Sequence, residues 1–182
     1  AHVDKMVLEN GYGCNVELVP GDTMPTATSM MEKGEPDVAP ELWINAVRLA
    51  LDNAVGEGRL HYAAEVLSDT GEEGWWIPQY MADANPDIQT VYDVIERPEL
   101  FPHPEGGNGA IYTCPSGWNC QISTGNLFKA YDMEAKGWRL VDPGSGGALA
   151  GAIGEAYNKE EGWLGYYWAP TAVLGKYPLK KL

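Results

Sequence analysis

The spacing of apolar positions changes period several times along the chain. Apolar residues three and four apart mark the inner stripe of a helix, whereas strict alternation marks a half-buried strand. Residues 3–10 read as a helix stopped by Gly11, and residues 14–19 (CNVELV) alternate as a strand. Residues 26–33 predict a helix ending at Gly34, residues 37–42 a short strand, and residues 44–55 an amphipathic helix ending near Gly56. Strands follow at 61–66 and 75–81, a helix at 88–95, a strand at 110–113 and a helix at 125–131. The last part predicts a strand at 138–141, a helix at 147–159 and a strand at 163–168. This interleaving predicts an α/β fold with layered helices and a largely parallel sheet. No internal repeat or low-complexity segment is visible.

Two stretches break the pattern. The polar, glycine-containing SDTGEEG (residues 68–74) is suited to connecting two lobes, and RPELFPHPEGGNG (residues 97–109) is the longest candidate loop. Loops of that length in a compact domain are usually functional or flexible. A two-lobed α/β chain would hold a ligand in the cleft between its lobes.

Charge and composition narrow the partners. Twelve Lys and Arg stand against 26 Asp and Glu among 182 residues, a formal net charge of −14. That balance excludes a generic nucleic-acid binder, which needs basic patches to displace counterions from phosphates. An apolar fraction of 45% with 21% charged residues is that of a globular chain. No apolar run approaches the roughly 18 residues of a membrane span. Residues 1–10 (AHVDKMVLEN) lack the basic start and apolar stretch of a signal peptide. The aromatic residues are unusual: seven Trp and ten Tyr against two Phe. Trp and Tyr are favoured where a flat face meets a ligand while the polar tip finds a hydrogen bond.

Cys114 and Cys120 bracket a tight turn, CPSGWNC, across which two thiols can come within bridging distance. A disulfide is expected there, and with it an oxidising compartment; the alternative is a pair of unpaired turn thiols. Cys14 has no nearby partner and reads as a small core residue.

Catalytic patterns are largely missing. His2, His61 and His103 are isolated from one another and from any Cys or Ser arrangement. GSGGALAGAIG (residues 144–154) has neither the Lys-Ser/Thr ending of a P-loop nor the spacing of a dinucleotide fingerprint, so its small residues read as close helix packing. Its N-terminus is a weak candidate for an anion. Glu72 and Glu73 could be proposed as the acid and base of a glycosidase, but neighbours on a strand point to opposite faces. Glu73 and Trp75, two apart, share a face if the stretch is extended. A carboxylate beside an indole suits a cation.

The tryptophans are therefore the main candidates. Trp43 closes DVAPELW, Trp75 and Trp76 open WWIPQYM, Trp118 caps CPSGWNC, and Trp168 ends WLGYYW. These positions fall at strand ends or in turns. The negative faces of several indoles can surround a quaternary ammonium, a cation that donates no strong hydrogen bond. For Trp138 and Trp163 core packing is the preferred reading. A competing class is a carbohydrate-binding or glycoside-hydrolysing protein, whose indoles stack on sugar rings and whose two carboxylates converge on one cleft.

The order of motifs resembles the substrate-binding proteins of glycine betaine, choline and trimethylamine N-oxide ABC importers. KGEPDVAPELW, EEGWWIPQYM, CPSGWNCQISTGNLFKAY, DPGSGGALAGAI and YYWAPTAVLGKYPLKKL carry the likeness over nearly the whole chain. The turn with two cysteines and a central Trp looks most like the trimethylamine N-oxide binders of marine bacteria. The resemblance implies a two-lobed, type II-like periplasmic binding fold that performs no chemistry and closes on its ligand. It implies a partial first lobe at 1–72, a second lobe at 73–168 and a crossover at 169–182. Against the family pattern the expected fold lacks the N-terminal strand and the C-terminal return.

Carried over by position, Trp43 and Trp168 match the family's cage tryptophans, and the Glu73/Trp75 strand matches the one that adds a further cage side chain. Trp118 completes the set, while Trp76 points away and packs. The resemblance implies a methylated ammonium ligand, a membrane permease as partner, a periplasmic location, and no cofactor or metal. Glu73 orders the ligands. Facing the carboxylate of glycine betaine at 4 Å, it would repel it by roughly 4 kcal/mol at an effective dielectric of 20. Trimethylamine N-oxide is therefore expected first, choline second and glycine betaine third.

Overall fold

A computed structural model describes residues 1–45, 47–66 and 71–182. The chain divides into two compact units, Ala1–Asp69 and Thr70–Leu182.

In the described residues of unit 1, all regular structure is helical: α1 (His2–Tyr12), α2 (Thr23–Lys33) and α3 (Arg48–Gly56). Helix α1 runs through Gly11 and ends at Gly13, which takes the left-handed conformation (φ 69°) that favours glycine. Helix α2 starts at Thr23, three residues before the predicted start, and closes on Gly34 in the same way (φ 73°). Val47 and Leu51 pack with Ala27, and Met24, Met31, Leu42, Ile44 and Leu60 surround them. The strands predicted at 14–19, 37–42 and 61–66 do not form in the described residues. Among the described residues no strand of unit 1 supplies a ladder for them. Cys14, read as a core residue, is exposed.

Unit 2 holds a five-stranded sheet. Its elements are β1 (Glu72–Pro78), α4 (Gln79–Ala84), α5 (Val91–Ile95), β2 (Ala110–Tyr112), α6 (Asn119–Ala130), β3 (Arg139–Val141), α7 (Gly146–Lys159), β4 (Gly165–Ala169), α8 (Ala172–Lys176) and β5 (Leu179–Lys181). The strand order is β3-β2-β4-β1-β5. The expected largely parallel sheet is in fact mixed: β2 runs parallel to β3 and β4, whereas β1 is antiparallel to both β4 and β5. Residues 169–182, for which the resemblance implied a crossover, contribute α8 and β5, with β5 hydrogen-bonded to β1 within this unit.

Local chemistry sets the boundaries. β1 stops at Pro78, and α4 begins at Gln79, so the predicted strand 75–81 lies too far along the chain. Helix α5 begins at Val91 because Thr90 and Asp93 form a capping box. The Ser145 hydroxyl accepts from the Ala148 N–H at 3.1 Å and starts α7. The segment 97–109 is tied down by backbone bonds, among them Gly109 N–H to the Phe101 carbonyl at 2.7 Å and Arg139 N–H to the Gly109 carbonyl at 2.7 Å. The core comprises Ile77, Ile111, Leu149, Ile153 and Leu164 on and around the sheet, with Phe101, Met133 and Trp138 on its flank. Trp138 and Trp163 are buried at 1% and 2% exposure, as the packing reading requires. Among the described residues no helix is long and apolar enough to cross a membrane.

Candidate functional site

The register of β1 against β4 builds the site. Glu73 lies opposite Trp168 and Trp75 opposite Tyr166, and directly opposed residues of an antiparallel pair project from one face. Glu73, Trp75, Tyr166 and Trp168 thus share that face, while Trp76 projects from the other. Trp76 is buried and its indole N–H donates to the Tyr167 carbonyl at 2.9 Å, so its role is packing.

Trp118 reaches the same place from the loop after β2. It is the N-cap of α6 in an extended conformation (φ −88°, ψ 147°). The preceding turn is closed by a disulfide between buried Cys114 and Cys120, whose Cα atoms are 5.9 Å apart. Its ring meets Trp168 edge to face, with centroids 5.3 Å apart and planes at 76°. Tyr166 stacks alongside Trp168 at 6.1 Å and 27°. Gly146, the first residue of α7, leaves the space that the Trp118 ring uses: a Cβ there would lie 3.1 Å from the ring's Cη2 and 3.2 Å from its Cζ2.

Electrostatics distinguish the rings. The Tyr166 hydroxyl donates to Oε2 of Glu73 at 3.0 Å. Burial pushes the Tyr166 phenol far above its ordinary range, and the negative charge and hydrogen bond of Glu73 raise it further. The phenol therefore stays neutral and orients a carboxylate beside the exposed part of Trp168. Glu72, one residue away, is exposed and pairs with Lys181 at 3.4 Å. The adjacent acids do not flank one bond, as a glycosidase pair must.

Five residues were expected to form the site. Glu73, Trp118 and Trp168 fall in one neighbourhood of unit 2. Trp75 shares their sheet face but is only 5% exposed. Its N–H donates to the Thr124 hydroxyl at 3.3 Å and its ring meets Tyr131 at 6.1 Å, so it is wedged against α6. Trp43 belongs to unit 1, where it is half-buried and donates to Glu41 Oε1 at 2.9 Å. Sequence reasoning missed Tyr166 and Gly146. Tyr166 stands two residues before Trp168 on the same strand, and that spacing was the available signal. Gly146 carried none, because only the fold brings α7 to Trp118.

The whole of the chain, residues 1–182, matches the family of substrate-binding domains of ABC-type glycine betaine transport systems. The chain belongs to this family. Its characterised members are transport components, not enzymes. Among solved structures, the fold is similar to that of an ABC-transporter choline-binding protein in an unliganded semi-closed conformation. The TM-score is 0.73 at 14% identity, covering 98% of this chain and 58% of that one. It is also similar to lactococcal OpuAC in its closed form with glycine betaine (TM-score 0.72, 21% identity, covering 97% and 62%). A third is the glycine betaine/L-proline-binding protein ProX from Borrelia burgdorferi (TM-score 0.76, 17% identity, covering 99% and 62%). The chain thus spans about three fifths of the length of each of these structures. A search of curated protein sequences finds no significant match.

Proposed function

We propose that this chain is the ligand-capturing part of a substrate-binding protein that delivers a quaternary or trimethylated ammonium compound to the membrane permease of an ABC importer. The observation that carries the reading is the edge-to-face pair of Trp118 and Trp168, with Tyr166 stacked behind and the Glu73 carboxylate alongside. A trimethylammonium group has no N–H to offer. It is held by electron-rich ring faces and by a nearby negative charge, and it leaves no unpaired donor when water is expelled.

Glu73 sets the order of preference. Its carboxylate suits choline, and it can share a proton with the oxygen of trimethylamine N-oxide, whereas it opposes the carboxylate of glycine betaine. The proposed order is trimethylamine N-oxide, then choline, then glycine betaine. Trp75 supports the cage from behind. Trp43 is proposed as a ligand contact on the family resemblance alone, and Trp43→Ala tests it separately. The disulfide and the family together support a periplasmic location.

The test is titration of the three ligands followed by tryptophan fluorescence and calorimetry, on the wild type and on Trp168→Ala. A desolvated cation–π contact is worth about 2 kcal/mol, so the variant is expected to bind roughly 30-fold more weakly while remaining folded by circular dichroism. Unchanged affinity in the variant, or no saturable binding of any methylated amine by the wild type, would remove the aromatic cluster from the function.

A further inference from the structure

Glu72 and Glu73 are adjacent carboxylates in different company. Glu72 is exposed and pairs with Lys181 at 3.4 Å. Among the described residues Glu73 makes no ion pair, and its side chain has one hydrogen-bond partner, the Tyr166 hydroxyl at 3.0 Å. Glu73 is half-buried. A carboxylate drawn partly out of water needs charge-assisted hydrogen bonds or a cation, and here the described chain supplies a single donor and no cation.

The donor is fixed before any ligand arrives. Tyr166 lies in β4, a strand paired on both sides, to β2 through Gly165 and to β1 through the ladder that sets Tyr166 opposite Trp75. Its ring is 7% exposed and stacks on Trp168 at 6.1 Å and 27°. Burial, and after it the charge and hydrogen bond of Glu73, hold the phenol far above its ordinary range, so the hydroxyl keeps its proton. A ring buried to this degree offers a ligand little surface, and its one proton is committed to Oε2 of Glu73.

The acceptor, by contrast, is free to rotate. A Glu side chain places its carboxylate through two sp³ torsions, χ1 and χ2, each with three staggered wells, and only some of these set the charge beside Trp168. Without the Tyr166 hydroxyl, Glu73 keeps its charge and its place in the ladder but loses what selects its rotamer. The rings then hold a trimethylammonium group as before. The charge that separates a net cation from a zwitterion is in place only part of the time.

We propose that Tyr166 is the positioning residue on which discrimination at this site depends: its hydroxyl holds the Glu73 carboxylate beside Trp168 without itself touching the ligand. The inference rests on the proposed function and deepens it, because selectivity between net cations and zwitterions then belongs to a hydroxyl–carboxylate pair and not to the charge alone.

The test is a double-mutant cycle read by calorimetry with choline and glycine betaine at one salt concentration. Tyr166→Phe keeps the ring and removes the donor. With the productive rotamer one of about three, the variant should bind choline about threefold more weakly. Glycine betaine should be unchanged or slightly tighter, so the ratio of the two dissociation constants shifts by about the same factor. In the Glu73→Gln background the same substitution should leave that ratio where Glu73→Gln put it, because the two residues act as a coupled pair. Glu73→Asp is a second variant. It keeps the charge but, one methylene shorter, draws the carboxylate back from the Tyr166 hydroxyl, and should shift the ratio in the same direction as Tyr166→Phe. A ratio that Tyr166→Phe leaves unchanged, or shifts equally in both backgrounds, overturns the proposal. Where Tyr166→Phe does not fold, Glu73→Asp decides, and an unchanged ratio there has the same force. Failure of the proposed function is read separately. If the wild type binds neither ligand, that function falls, and the positioning is judged on the free protein from the three-bond couplings across χ1 and χ2 of Glu73. A single rotamer in the wild type with averaging in Tyr166→Phe supports it; averaging in the wild type, or the same couplings in both proteins, overturns it.

Discussion

Replacing Glu73 with Gln isolates the charge that is proposed to order the ligands. The amide oxygen of Gln can still accept the Tyr166 hydroxyl, which now donates to Glu73 at 3.0 Å, so the geometry of the cluster is preserved. Glu73 stands directly opposite Trp168 in the ladder, a placement that sets their Cβ atoms about 5 Å apart. A cation on the Trp168 ring, within about 6 Å of its centroid, is then about 6 Å from the carboxylate. At an effective dielectric of about 20 the attraction is about 3 kcal/mol. Glu73 is half-buried, and solvent and salt screening reduce that figure to about 1.5 kcal/mol, roughly tenfold in Kd.

The direction differs among ligands. Choline, a net cation, should lose about tenfold on Glu73→Gln by the same arithmetic. Glycine betaine gains from losing the repulsion of its own carboxylate and loses the attraction of its ammonium, so it should change little or bind more tightly. The decisive quantity is the ratio of the choline and glycine betaine dissociation constants, measured by calorimetry at one salt concentration on both proteins. A tenfold change in that ratio supports the reasoning. If all three ligands weaken equally, Glu73 acts only by positioning Tyr166. If glycine betaine binds tightest to the wild type, the order derived from Glu73 is wrong.

Other expectations follow from the same geometry. Gly146→Ala improves helix propensity by up to about 1 kcal/mol but places a methyl 3.1 Å from the Trp118 ring. Thermal unfolding should hold or rise while ligand affinity falls severalfold, and unchanged affinity would dissociate Trp118 from the site. Breaking the Cys114–Cys120 bridge, by reduction or by Ser at both positions, frees a loop spanning six positions and should cost about 2 kcal/mol in urea unfolding, with ligand affinity falling as Trp118 is released. Burial holds His103 below its ordinary range, and the positive charge of Arg139 adds to this. A lowered folded-state value means that its stabilising contribution is complete above the unfolded-state value of about 6.5 and is lost as pH falls below it. Nδ1 of His103 accepts the Glu105 N–H at 3.2 Å. His103→Asn keeps an acceptor for the Glu105 N–H without titrating, so its urea midpoint should fall less between neutral pH and pH 5 than that of the wild type; parallel curves would contradict this.

Local signals read correctly at several elements that one residue's chemistry decides, although α1 runs through Gly11 and β1 stops at Pro78, short of the expected end. Gly34 ends α2, and the pleat of β1 puts Glu73 and Trp75 on one face and Trp76 on the other. The errors arise where the answer depends on a distant partner. Residues 14–19, 37–42 and 61–66 alternate as strands do, but among the described residues of unit 1 no strand pairs with them, so they stay irregular. The antiparallel pairing of β1 with β4 cannot be read from alternation, since parallel and antiparallel strands share the same period. The two-residue spacing to Trp168 places Tyr166 on the same face of β4, and what the register adds is that this face is the one that carries Glu73. Trp75 was assigned to the cage from its strand face. The strand face does not show that Thr124 of α6 and Tyr131 just after it pack against the ring and bury it.

The walls of the aromatic site are fixed by constraints that require no ligand. Trp118 is held by a covalent bridge on one side, by the Trp168 ring on another and by the open Cα of Gly146 beneath it. Trp168 lies in a ladder strand, and Tyr166 is buried and tied to Glu73. Such rings lose little rotamer freedom when a cation arrives, so more of the contact energy appears as affinity. The same rigidity limits selectivity. Rings that cannot adjust hold any trimethylammonium group similarly, and the distinction among such ligands falls to the charged group at the edge. Under the proposed function, affinity falls to Trp118 and Trp168 and discrimination to Glu73. Trp168→Ala should therefore weaken all three methylated amines by a common factor, whereas Glu73→Gln should reorder them.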